Sequence, residues 1–332
     1  MDNQKSMEIF AKAPVSQAVL KNALPAMAAM LMVLIYNLAD TFFIGQTHDA
    51  LQVAAVSLAT PVFLMFMAVG TVFGVGGTSV ISRAMGEGNI GTVFGAGYYI
   101  LYFLRGKPSL SINIKDFSLK NKAASGVLAI GVPAALGSVL MSVSQIIINS
   151  QMSEYGDMAI AAMGVAMKVV TITGMVCMGL GQGVQPLFGY CVGAKMWERF
   201  KKSLRFSVIF ALLLSVILTG ICYLFINQIV SVFLTEPTAF DYAVQFSRIL
   251  LTTGFLFGVF YVLTNALQAM GAATAALVIN ISRQGIIFIP ALFILKLLVG
   301  MTGLVWAQPA ADVLSLIIAY VFYIKTSKKM AS

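Results

Sequence analysis

Long apolar runs broken by short polar connectors set the pattern of this chain. Residues 22–45 form a first apolar stretch, long enough to cross a hydrocarbon core about 30 Å thick. A second runs from Leu51 to Arg83 and ends in a glycine-rich segment holding Gly70, Gly74, Gly76 and Gly77. Six further stretches follow at 123–150, 157–191, 203–228, 238–270, 274–298 and 301–324. Each reads as a membrane helix, and Pro25 is expected in the first turn of its helix, where a missing N–H costs least. One piece breaks the pattern. Residues 90–104 are apolar but would rise only about 22 Å as a helix, and basic residues flank both ends, Arg83 before and Arg105 and Lys107 after. A single crossing cannot place both ends on the cytoplasmic side.

Composition agrees with the pattern: 59% hydrophobic, 10% charged and a mean hydropathy of +0.92 describe a polytopic membrane protein. The net charge of +9 would suggest nucleic acid in a soluble protein. Here most Lys and Arg lie in the tail or at span ends (Lys12, Lys21, Lys120, Lys122, Lys195, Arg199, Lys201, Lys202, Lys325), so they read as cytoplasmic anchors and no nucleic-acid partner is expected. Acids occupy the outer connectors (Glu154, Asp157, Glu236, Asp241), which puts both termini in the cytoplasm. Cys177, Cys191 and Cys222 have no paired spacing, His48 is the sole histidine, and the glycine runs follow no strand, so neither metal site, phosphate loop nor enzyme chemistry is expected.

The chain also matches itself. Leu24-Pro25-Ala26 corresponds to Val132-Pro133-Ala134 at an offset of 108, Pro25 to Pro133. Val53–Val56 corresponds to Ile160–Met163 at 107, and Gly74, Gly76 and Gly86 fall on Gly181, Gly183 and Gly193 at the same spacing. Both prolines open segments that start inside, so the repeats run parallel, which predicts a symmetry axis along the membrane normal with a cleft between two lobes. The second repeat has six spans; the first falls short by roughly 90 residues, or about three to four helices of ordinary length. The junction near Asn89 and Ile90 is where they would lie.

Asp40 is the leading functional candidate, because a carboxylate in hydrocarbon costs several kcal/mol and marks a cavity, a partner or a transported ion. The duller alternative is that it hydrates at the interface and sets helix depth. Tyr36, Asn37, Gln145, Asn149, Gln182, Gln185 and Gln268 are candidates to line a substrate cavity, although interhelical hydrogen bonding accounts for such residues as well. The 19 methionines, among them Met141, Met163, Met167, Met175 and Met178, suit a cavity for varied shapes, or ordinary core filling. Lys168, Arg248 and Arg283 fall within spans, where they pair, snorkel or line water; Asp312 is a candidate partner, but no spacing identifies whose.

These features resemble the multidrug and toxic compound extrusion (MATE) family, in its bacterial multidrug-pump branch. The residues that carry the resemblance are Leu24-Pro25, Asp40 to Gly45, Phe73 to Gly77 with Ser82-Arg83, Gly181 to Pro186, Leu267 to Gly271, Arg283 to Pro290 and Trp306 to Asp312. The resemblance implies an all-α bundle of two six-helix lobes. Here the amino-terminal lobe lacks helices three to five and part of six, leaving about eight or nine membrane helices. The implied divisions are a cytoplasmic tail (1–21), a truncated lobe (22–104), a linker (105–122), a complete lobe (123–325) and a second tail (326–332). It also implies a plasma-membrane antiporter that exchanges amphipathic organic cations for H+ or Na+ by alternating access, with Asp40 as coupling residue and no cofactor beyond the ion. Where sodium-coupled relatives carry an acid, this chain has Met141, so that second cation site is not expected. The rival is a remnant that inserts, associates with full-length relatives and moves nothing. Flipping of a lipid-linked substrate is a weaker third reading.

Overall fold

In the computed structural model, residues 10–46, 70–88, 123–234 and 236–331 are described, and all their regular structure is helical. Helix α1 spans Val15–Gln46, α2 covers 70–86, α3 is Ala123–Met152 and α4 is Asp157–Gly193. Next come α5 (Trp197–Leu224), the short α6 (Ile226–Ser231), α7 (Pro237–Leu251) and α8 (Phe257–Ala269). The chain ends with α9 (Ala273–Ile281), a π-helical turn over Ser282–Ile286, α10 (Phe288–Val299) and α11 (Met301–Ala331). Seven helical stretches among the described residues are long and apolar enough to cross a membrane, six of them after residue 122. One of these joins α7 to α8 through a 3₁₀ turn, and another joins α9 to α10 through the π turn. The segments 47–69 and 89–122, with the troublesome piece 90–104 and the junction before it, lie outside the described residues.

Several helices outrun their apolar stretches. Helix α1 starts at Val15, so Pro25 is interior and not in the first turn; Pro133 likewise lies inside α3. Hydropathy marks where lipid begins, whereas the helix continues through polar residues such as Ser16, Gln17 and Asn22, the last of which returns a hydrogen bond from Nδ2 to the Ala18 carbonyl at 2.7 Å. A proline inside a membrane helix frees one carbonyl, which neighbouring groups in a bundle can satisfy. Part of the segment assigned to the amino-terminal tail is thus helical, and α11 carries helix through Ala331.

The two repeats pack crosswise. Helix α1 runs antiparallel along α4, so close that a methyl group on Gly183 would stand 2.7 Å from the Ala23 Cα, and one on Gly179 2.9 Å from the Met27 Cα. Applying the repeat offsets turns Ala23 into Gly131 and Gly183 into Gly76, and these meet as well. A methyl on Gly76 would strike the Val127 carbonyl and stand 3.1 Å from the Gly131 nitrogen, and one on Gly131 would stand 2.7 Å from the Val72 Cα. So α1 lies on α4 as α2 lies on α3. Where α2 meets α4 the exchange is seen again: Gly86 abuts the Tyr190 carbonyl, and its mate Gly193 abuts the carbonyl of Arg83, the mate of Tyr190. Ser82 touches its own mate, Gly189. Contacts that survive exchange of the repeats require a two-fold relation, and Ser82 and Gly189 lie beside its axis. Small residues allow this approach because helices in lipid associate through close packing and not through hydrophobic exclusion of water.

Side-chain packing follows the same seam. Ala18, Val19, Ala23 and Met27 of α1 share one buried cluster with Leu180, Val184, Leu187 and Phe188 of α4 and with Phe200 and Leu204 of α5. A second cluster joins α3, α4, α7, α10 and α11 around Met163, Phe246, Phe288 and Leu304. Beyond Met30 most apolar side chains of α1 are open, with Met32 69% and Ile35 59% exposed, while Leu34 is buried. Arg199, at the start of α5, holds the segment before α1 by donating from Nε to the Phe10 carbonyl at 2.6 Å and from Nη2 to the Ala13 carbonyl at 2.7 Å.

Candidate functional site

Helix α4 presents a stripe at helical spacing: Met163, Met167, Val170, Thr171, Gly174, Met175 and Met178. With Met141, Ser144, Gln145 and Ile148 of α3 it forms two walls of a cavity of about 210 Å³. Phe257 and Tyr261 of α8, Phe288 of α10, Gln308 of α11 and Arg283 and Gln284 of the π turn complete it. All five methionines singled out from the sequence line this one space.

Its polar end is built by the π turn. The Ile287 N–H donates to the Ser282 carbonyl at 3.0 Å, five residues back. A widened turn shifts side-chain direction relative to an α-helix, and such turns recur at functional positions. Ser144 of α3 donates from Oγ to the Gln284 carbonyl, tying the turn to the opposite wall.

Arg283 leaves this turn toward α11, where its Nε donates to Asp312 Oδ1 at 2.7 Å. Gln308 Nε2 donates to the same oxygen at 3.0 Å, and Thr253 Oγ1 donates to Oδ2 at 3.2 Å. The guanidinium carbon also stands 4.6 Å from the ring centre of Phe260, 5.3 Å from Phe257 and 5.8 Å from Tyr261. Asp312 is 3% exposed. Removing two charges from water costs several kcal/mol per ion, and attraction offsets this only where further hydrogen bonds fill the remaining valences. Both oxygens of Asp312 are filled here, and the cation has aromatic faces beside it. Two other intramembrane cations rest against single rings: Lys168 Nζ lies 5.2 Å from the Phe233 centroid and Arg248 Cζ 6.0 Å from that of Tyr223.

Of the polar residues expected at a cavity, Gln145 lines this one. Asn149, one turn further along α3, is exposed; Tyr36 and Asn37 are exposed on α1. Gln182 is half-buried on α4, and Gln185 is buried with its Nε2 lacking a partner among the described residues. Gln268 of α8 is buried; its backbone carbonyl accepts from Ser79 Oγ at 2.7 Å, bridging α2 to α8, while its Oε1 lacks a partner among the described residues. Asp40 belongs to α1, but its side chain lies outside the described residues. Sequence reasoning missed Ser144, Thr171, Tyr261, Gln284 and Gln308 as cavity residues. The available signal was only that Arg283 and Asp312 are charged residues inside spans, which marks them for a polar site without pairing them.

Comparison with known proteins agrees with this architecture. The family model MatE matches residues 25–106 and 133–294. The multidrug export protein MepA of Staphylococcus aureus strain MRSA252 is 24% identical over 422 aligned positions, covering 91% of this chain and 92% of that protein. MepA of Staphylococcus haemolyticus strain JCSC1435 gives the same values. Because that alignment is longer than the 332-residue chain, part of each relative has no counterpart here. Among solved structures, an outward-facing multidrug resistance MATE family transporter of the MOP superfamily superposes with a TM-score of 0.85 at 16% identity, over 98% of this chain and 99% of that one. A Vibrio cholerae MATE transporter, VcmN, gives a TM-score of 0.80 at 16% identity over 98% of each chain. With the family model matched over well more than half of its residues, the chain belongs to the MatE family, whose members are membrane transporters and not enzymes.

Proposed function

We propose that this chain exports small amphipathic organic compounds across the plasma membrane by alternating access, in exchange for H+ or Na+ bound at Asp40, with both termini in the cytoplasm. The observation that carries the reading is the crosswise packing of the repeats. Helix α1, which holds Asp40, lies along α4, and α4 supplies one wall of the methionine-lined cavity. The coupling is local: Met178 lines the cavity, and its neighbour Gly179 sits against Met27 of α1. A shift of α1 on α4 therefore moves the cavity wall.

Ion occupancy biases the two lobe arrangements through its differential affinity for them. Neutralising a carboxylate shifts the balance only as far as one arrangement buries it and the other hydrates it, with the insertion cost of about 3 kcal/mol as the upper limit. Thioethers adapt to varied ligand shapes, which suits a broad substrate range. Organic cations are the class that the family resemblance brings, and the open apolar face of α1 offers a surface for association with a full-length relative. The division into a truncated lobe at 22–104 and a complete lobe at 123–325 belongs to the same reading. The remnant alternative is not favoured, since the family match and the fold extend across both repeats.

The chain expressed in bacteria stripped of their own exporters should lower steady-state accumulation of a lipophilic cationic dye, and a protonophore or a sodium ionophore should cancel the effect. Equal accumulation with and without the chain, at verified membrane expression, would refute export of that dye class.

A further inference from the structure

We infer that the carboxy-terminal cavity recognises the carboxylate, or an equivalent acceptor group, of an amphipathic substrate through the terminal fork of Arg283. Among the described lining residues, Arg283 is the one that carries charge. Its hydrogen bond to Asp312 uses Nε and a second bond joins it to Tyr261; the remaining N–H groups of the guanidinium are the donors that Arg283 brings to the cavity it lines. The Arg283–Asp312 pair is neutral as a whole, yet its positive end is the one facing the space.

A cationic head group would be poorly served here. Asp312 does not line the cavity, and its oxygens already accept from Arg283, Gln308 and Thr253. Of the aromatic rings that line the cavity, Phe257 and Tyr261 already have the guanidinium 5.3 and 5.8 Å from their centres, which leaves Phe288 as the ring without it. What the wall offers a ligand is the charged donors of Arg283, with the amides of Gln145 and Gln284 beside them able to donate or to accept. Planar, pre-organised guanidinium donors match a carboxylate with two parallel bonds. Methionines line the remainder, so the preferred ligand carries an apolar ring next to its acceptor. At about 210 Å³ the space is smaller than a drug-sized pocket of ~300–1,000 Å³, so it takes one end of a substrate. A zwitterion whose acid end enters here and whose amine stays in the cleft satisfies both this site and the export reading, on which the direction of movement rests.

The test is equilibrium binding to the purified full chain in lipid nanodiscs, with no ion gradient, of a small aryl carboxylate and its methyl ester. The acid should bind about ten- to a hundredfold more tightly than the ester, the range of a charge-assisted hydrogen-bonded contact. The charge-neutral variant Arg283→Gln/Asp312→Asn should bring the ratio to about one, and Arg283→Lys, which keeps the charge without the fork, should fall between. Equal affinity of acid and ester for the native chain, a comparison that depends on no variant, would overturn the inference. So would an acid preference that persists in the folded double variant. Binding without transport in vesicles would count against export and leave this site standing; transport with no acid preference would do the reverse.

Discussion

Asp312→Asn, with Arg283 left in place, will lower the stability of the folded chain by about 3–5 kcal/mol, the cost found when one member of a buried ion pair is removed. The guanidinium cannot escape the consequence, because its side chain is only 13% exposed and it leaves a π turn pinned to α3 through Ser144. Gln308 and Thr253 lose a charged acceptor in the same step. Arg283→Gln should be destabilising as well, since it strands a carboxylate that is 3% exposed, but Thr253 and Gln308 still donate to it and the loss should be smaller. The double variant removes both charges and should recover a large part of either loss, because a buried pair taken out together no longer incurs desolvation. Thermal midpoints in one detergent, arranged as a double-mutant cycle, will show this as strong non-additivity. Midpoint shifts that simply add would mean that the two residues do not act as a pair.

Asp40→Asn will abolish ion-driven movement of substrate while leaving substrate binding in place. An amide does not ionise and brings no negative charge to hold Na+, so occupancy by the driving ion can no longer distinguish the two lobe arrangements. The effect should be complete, because Asp40 is the one coupling residue that the proposed mechanism names. Asp40→Glu should keep part of the coupling. In vesicles carrying an inward ion gradient, efflux by Asp40→Asn should equal the rate without a gradient; retention of the native gradient response would remove Asp40 from the mechanism.

Much of the architecture could be read from hydropathy and charge. The six spans after residue 122 were legible because acids mark one set of connectors and basic clusters the other, and the observed helices agree with them except at their ends. The discrepancies share one cause. Lipid imposes apolar residues only across the hydrocarbon, while backbone hydrogen bonding continues the helix into polar flanks, as at Val15, Trp197 and Ala331. The interior placement of Pro25 follows from the same error, since that helix was started at its apolar boundary; the span that holds Pro133 begins at 123 as expected. The repeat was legible as a register of glycines and prolines. That Gly76 meets Gly131 where Gly183 meets Ala23 was not, because a self-alignment says which residues correspond and nothing of which ones touch.

The cavity was half legible. Methionine positions on α4 repeat at helical spacing, and Gln145 follows Met141 by one turn, so a shared face could be inferred. The Arg283–Asp312 pairing could not, because the partners lie on different helices and no periodicity links them. The π turn that aims Arg283 leaves no mark in the sequence beyond an unremarkable Gly285, and π geometry has no composition of its own. Asn149 was a cavity candidate as a polar residue in the same span as Gln145, but it is exposed, and its neighbour Ile148 lines the cavity in its place.

Gradient-driven transport by the purified 332-residue chain in sealed proteoliposomes puts the proposed export to its hardest trial. Substrate loaded inside should leave faster when H+ or Na+ is higher outside, and the difference should vanish when an ionophore collapses the gradient. Efflux that is the same with the gradient, without it and from protein-free vesicles would show that the crosswise pair of repeats inserts in the membrane but moves nothing.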